Sequence, residues 1–84
     1  MVTAEDVLGE IRRIAASELE IARPVELSHE LIRDLELDSL GLITLAVGLE
    51  NSFRVKLSEE DAAQVVTVAD LAGLVQRRVG EGER

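Results

Sequence analysis

The sequence contains no cysteine, tryptophan or tyrosine, and only one phenylalanine, one proline and one histidine among 84 residues. Without cysteine there is no disulfide, no thiol catalysis and no cysteine-ligated zinc. A single histidine, His29, removes the usual imidazole sites as well, so no metal is expected. The want of aromatic rings excludes the base-stacking platforms on which single-stranded nucleic acids are held. Basic residues are also few. Nine Lys and Arg face seventeen Asp and Glu, a net charge of −8, which disfavours nucleic acid and favours partners with basic surfaces. No apolar run approaches the roughly 20 residues of a membrane span. Thr3, Glu5 and Asp6 follow close on Met1, so no signal peptide is expected. The expectation is a cytoplasmic, monomeric protein that meets neither nucleic acid nor membrane. At this length one small domain is expected, and it buries only about 60% of the surface its unfolded chain exposes. A deep substrate cavity does not fit in it.

What is present is helical periodicity. Thr3 reads as an N-cap followed by Glu5 and Asp6, and apolar residues recur at Val7, Leu8, Ile11, Ile14, Ala15 and Leu19. This predicts a helix over 4–19. From Glu18 to Asp38 the chain holds seven acids, two bases and the only proline. It reads as a long loop tethered by Val25, Leu27, Leu31 and Leu35, and loops of that length in a small domain tend to be functional. Asp38 caps a second helix from Ser39 to about Ser52. Ser58-Glu59-Glu60-Asp61 opens a short third helix ending near Gln64, its acids reading as a favourable first turn rather than a metal site. Thr67 to Asp70 starts the last helix, whose stripe is Val68, Leu71, Ala72, Leu74, Val75 and Val79. The predicted architecture is all-α, a small four-helix bundle of three main helices and a short third one. It forms a single domain over 1–84, ordered from about 3 to 79, with 80–84 as a flexible tail.

The second helix carries too much apolar surface for one face. Leu42, Leu45, Ala46, Leu49 and Phe53 form one stripe, and Leu40, Ile43 and Val47 form another. Such a helix is either fully buried or offers its second face to a partner. Ser39 stands at the first helical position, where unpaired amides and the helix dipole favour an anion. A phosphate ester on its hydroxyl would be stabilised there. Ordinary capping by Asp38 accounts for the same residues.

The segment Leu31-Ile32-Arg33-Asp34-Leu35-Glu36-Leu37-Asp38-Ser39-Leu40 closely resembles the attachment motif of acyl carrier proteins. The similarity continues through Leu49-Glu50-Asn51-Ser52-Phe53, Val55, Leu57 and Thr67-Val68-Ala69-Asp70-Leu71, over about residues 4–79. It implies a non-catalytic four-helix carrier in which Ser39 receives a 4′-phosphopantetheine arm from coenzyme A through a phosphopantetheinyl transferase. Acyl groups would ride as thioesters on the arm's thiol, to be presented to acyl-activating, acyltransferase or ketosynthase-type enzymes of fatty acid, polyketide or related biosynthesis. The thiol would belong to the prosthetic group, in keeping with the absence of cysteine. Asp38 would help the transferase engage. Leu40 would lie beside the arm, and Leu40, Gly41, Ile43, Thr44 and Val47, with Asp34 and Glu36 of the loop, would meet partners.

The chain departs from carriers of general fatty acid synthesis. Their acidic positions on the second helix are Gly41, Thr44 and Asn51 here, leaving Glu50, and the glycine usual after the Asp-Leu pair is Glu36. Docking through apolar contacts and the acidic loop, in a specialised pathway, fits these differences. Gly41 and Gly48 each cost the helix about 1 kcal/mol relative to Ala, which points to close approach or mobility. D-alanyl carriers share Asp-Ser-Leu-Gly but have a tryptophan absent here, and peptidyl carriers usually show Gly-Gly before the serine pair. An aminoacyl or peptidyl carrier, and a helical interaction module never modified, are the alternative readings. A catalytic serine would need a base and an oxyanion site, and no G-x-S-x-G elbow surrounds Ser39.

Overall fold

A computed structural model describes residues 2–82. Four helices follow in order: α1 (Ala4–Ser17), α2 (Ser39–Phe53), α3 (Glu59–Gln64) and α4 (Val68–Gly82). Among the described residues there is no strand, only an isolated antiparallel bridge between Glu30 and Thr67. The all-α, four-helix architecture expected from the periodicities is the one observed.

Each start has a local cause. Thr3 Oγ1 accepts the Asp6 amide and Asp6 Oδ2 accepts the Thr3 amide, a reciprocal cap that satisfies two orphan donors. These bonds, the Thr3 amide first, hold the Asp6 carboxyl below its ordinary pKa. Ser58 and Asp61 repeat the device at α3. Asp38 caps α2. At α4, Asp70 Oδ2 accepts the Val66 and Thr67 amides while Thr67 Oγ1 accepts the amide of Asp70.

The helix ends differ from the predicted ones by a few residues. α1 stops at Ser17, not at 19, because the chain turns left-handed at Glu20 (φ 54°) and the Ile21 amide folds back to the Ala15 carbonyl. α4 continues through Gly80 to Gly82, where the sequence reading placed a flexible tail. Arg78 in its last turns is gripped by Glu81 at 2.6 Å and by both Asp61 oxygens at 2.8 Å. Residues 83 and 84, the rest of that expected tail, lie outside the described residues.

α1 packs against α4 and α2, and α2 touches α4 more lightly. Their shared core comprises Val7, Leu8, Ile11, Ile14 and Ala15 of α1, Leu45 and Leu49 of α2, and Val68, Leu71, Ala72, Leu74 and Val75 of α4. The loop contributes Val25, Leu31, Leu35 and, beyond the expected tethers, Leu37. Leu27 is only partly buried. α3 contributes no buried residue. It lies outside this packing, pinned by Arg78.

Candidate functional site

Ser39 is the first residue of α2 and is exposed, as are its neighbours Asp38 and Leu40. Asp38 Oδ1 accepts the Gly41 amide at 2.7 Å and its carbonyl accepts the Leu42 amide at 3.0 Å. The cap fixes the first turn, and Ser39 beside it is exposed. First-turn amides of a helix have no intrahelical acceptor, and the dipole is positive there. An alcohol so placed can be esterified by a phosphate without moving any packed side chain.

The loop that leads to Ser39 is held from three sides. Leu31 is buried, and its amide donates to the Val66 carbonyl. Its own carbonyl accepts the Leu37 amide. Asp34 Oδ2 accepts the Glu30 amide at 2.7 Å, closing a turn over 30–35. Arg33 reaches Glu30 and Asp34. Between buried Leu35 and Leu37, Glu36 takes φ 56°, a left-handed conformation that costs a residue with a Cβ about 1–2 kcal/mol. Asp34 and Glu36, expected as partner contacts, are thus already engaged within the loop. Arg23 donates to the Asp34 carbonyl at 2.7 Å and to Glu36 at 3.0 Å, a role that no local pattern announced.

α2 is not buried all round. Leu40, Ile43 and Val47 are 71, 59 and 45% exposed, while Leu45 and Leu49 are sealed in the core. Of the two readings of this helix, the one with a free apolar face is correct. Gly41 corrects one expectation. Grouped with the surface residues, it is buried, and a Cβ there would lie 3.2 Å from Leu37 Cδ2 and 3.3 Å from Asp38 Oδ1. It spaces the cap from the loop. Thr44 is half-buried and donates its hydroxyl to the Leu40 carbonyl. Glu50, the one carboxylate within α2, accepts the Leu57 amide at 2.8 Å. Leu40, Ile43 and Val47 themselves carry no charge, and Glu50 is the single charged residue of α2.

Two grooves flank that stripe. One, of about 560 Å³, runs between α1 and α2 over Ile14, Ile43, Val47 and Gly48. Arg13 lies on its rim, doubly hydrogen-bonded to Glu10, which also accepts the Ser52 hydroxyl at 2.7 Å. These contacts, Arg13 first, hold the Glu10 carboxyl below its ordinary pKa. The other groove, of about 190 Å³, runs between α2 and α3 past Leu42, Ala46, Leu57 and Ala62. His29 is spent elsewhere: its Nδ1 accepts the Glu26 amide and its carbonyl accepts the Val68 amide.

A 4′-phosphopantetheine arm fits these residues. Ser39 offers an exposed hydroxyl, the helix start offers a positive dipole for the phosphodiester, and Leu40 and Ile43 offer apolar surface next to it. When bound, the group supplies the thiol on which acyl chains are carried.

Comparison with known proteins agrees with this geometry. The family model described as "Phosphopantetheine attachment site" matches residues 9–75. An acyl carrier protein of Rhodococcus erythropolis is 32% identical over 82 residues, covering 95% of this chain and 89% of the relative. A meromycolate extension acyl carrier protein of Mycobacterium bovis is 33% identical over 78 residues, covering 90% and 67%. The crystal structure of an acyl carrier protein from Thermotoga maritima superimposes with a TM-score of 0.82 at 20% identity, covering 93% and 92% of the two chains.

Proposed function

The chain belongs to the acyl carrier protein family, and from that premise we propose that Ser39 is the residue that receives the 4′-phosphopantetheine arm. The observation that carries the reading is the exposed serine at the first position of α2, its turn fixed by the Asp38 cap. Acyl intermediates travel as thioesters on the arm, and the chain performs no reaction step of its own. Coenzyme A is the donor: a phosphopantetheinyl transferase joins the serine oxygen to the pantetheine-bearing phosphate, the pyrophosphate bond breaks, adenosine 3′,5′-bisphosphate leaves, and the serine proton is lost. Asp38 holds the segment and faces the transferase.

Leu40, Ile43 and Val47, with Thr44 between them, form the face offered to the transferase and then to acyl-activating, acyltransferase or ketosynthase-type enzymes. The carrier acts as a monomer in the cytoplasm, in fatty acid or polyketide-type biosynthesis. The uncharged stripe on α2 supports a specialised pathway over general fatty acid synthesis. The likeness to a meromycolate extension carrier supports a fatty acyl cargo.

The test is intact mass after incubation with coenzyme A and a broad-specificity transferase. A gain of one phosphopantetheine, lost in Ser39→Ala, is the expected result. No gain with several transferases, or an equal gain in the variant, refutes the assignment.

A further inference from the structure

The bend before Ser39 is bridged by a residue far from it in sequence. Glu36 is left-handed, φ 56°, two residues before the Asp38 cap. Its neighbours Leu35 and Leu37 are buried, so the exposed glutamate is the point at which the loop changes direction toward α2. A side chain with a Cβ resists that conformation. Arg23 bridges the bend, with Nη1 on the Asp34 carbonyl at 2.7 Å and Nη2 on Glu36 Oε2 at 3.0 Å. One planar guanidinium thus holds the backbone before the bend and the side chain at it, a fork geometry that lysine does not have.

Arg23 is itself well anchored. Its backbone is restricted by Pro24, the only proline in the chain, since a residue before proline is confined to extended conformations. Val25 is buried, and its carbonyl accepts Arg12 Nε of α1 at 2.8 Å. On the other side the Ile21 amide donates to the Ala15 carbonyl. Contacts to α1 thus hold the chain on both sides of Arg23, and Arg23 holds the bend, three residues before Ser39.

We propose that Arg23 is a positioning residue for arm transfer: by holding Glu36 in its left-handed bend, it sets the orientation in which Asp38 and Ser39 meet the transferase. The proposal rests on Ser39 being the attachment point. It predicts a coupling that neither charge nor general stability produces. Glycine adopts the left-handed bend unaided, so Arg23 should matter only while residue 36 has a side chain.

The experiment measures kcat/KM for transfer from coenzyme A to the full chain in four proteins: wild type, Arg23→Ala, Glu36→Gly and the double variant. Arg23→Ala is expected to lower kcat/KM about fivefold with Glu36 present, and less than twofold in the Glu36→Gly background. Glu36→Ala, which removes the same charge as Glu36→Gly but keeps the Cβ, is expected to fall with Arg23→Ala. Amide exchange at Asp38, Ser39 and Leu40 should quicken in Arg23→Ala and return toward the Glu36→Gly value in the double variant. An equal loss in both backgrounds would overturn the proposal and make Arg23 a direct contact of the transferase. An unchanged kcat/KM in Arg23→Ala would overturn it too. Failure of wild type to take the arm at Ser39 is a separate result, which removes the attachment reading and the proposal with it.

Discussion

Gly48 of α2 lies directly against Ile14 of α1: a Cβ built on the glycine would stand 2.7 Å from Ile14 Cδ1 and 3.2 Å from Cγ1. Ile14 is almost wholly buried, so it has little room to turn aside. This contact explains a helix-interior glycine that propensity alone disfavours. α1 and α2 approach as closely as they do because residue 48 has no side chain.

Gly48→Ala sets two effects against each other. Helix propensity gains about 1 kcal/mol, and overpacking costs about 1–3 kcal/mol. The expected net result is a loss of about 1 kcal/mol in urea unfolding. Ile14→Val deletes the clashing methyl and by itself costs about 0.5–1.5 kcal/mol. Combined, the two changes should cost less than their sum. A stabilised Gly48→Ala protein would show that the contact relaxes freely.

Arg54 ends α2 in the left-handed region, φ 55° and ψ 48°, with its amide on the Glu50 carbonyl. Glycine is the residue that fits this position without strain. Arg54→Gly should stabilise the protein by about 1 kcal/mol, a rise of about 4–8 °C in Tm for a domain of this size. A lower Tm would mean that the arginine side chain makes a contribution larger than the strain.

Asp61 is held below its ordinary pKa, first by the Arg78 hydrogen bonds and then by the Ser58 amide. Asp6, Glu10 and Asp70 are shifted the same way. A carboxyl with a depressed folded pKa adds stability that is complete above its unfolded value, about 4, and is lost as pH falls through the folded one. Acid unfolding should therefore steepen below about pH 4. Asp61→Asn should flatten that limb and loosen α3, seen as faster amide exchange over 59–64 while α1 and α4 keep their protection. Uniform loss across the helices would show instead that α3 is part of the main cooperative unit.

The uncharged stripe of α2 predicts how partners are recognised. Ile43 is outside the core, so Ile43→Ala should leave Tm within about 4 °C, a surface-type effect. It should raise the carrier's KM for the transferase about five- to tenfold, as loss of a central apolar contact does. Glu50→Gln, which keeps an acceptor for the Leu57 amide, should change KM less than twofold. The reverse ranking would mean that charge on α2 directs docking after all.

Most of the bundle was legible because its signals are local. The stripes of α1 and α4 and the caps at Thr3, Asp38 and Ser58 lie within a turn or two of the residues they organise. The proposal of Ser39 as acceptor rests, in the sequence, on the surrounding register, since Asp-Ser at a helix start is ordinary capping chemistry. Other features depend on partners distant in sequence. Gly41 is buried because Leu37 folds over it, Arg78 is a latch because Asp61 comes beneath it, and Arg23 matters because the chain bends left-handed at Glu36. None of these leaves a periodicity. Glu50 reads as an exposed docking charge until the Leu57 amide is found on it.

The loop before Ser39 is stitched to the start of α4: the Leu31 amide to the Val66 carbonyl, the Val68 amide to the His29 carbonyl, the Ala69 amide to the Leu27 carbonyl. These stitches join a segment made early on the ribosome to one made late. The segment that presents Ser39 thus takes its shape in part from residues 66–69, far later in the chain, so a chain lacking them leaves the Leu31 amide and the His29 and Leu27 carbonyls without these partners.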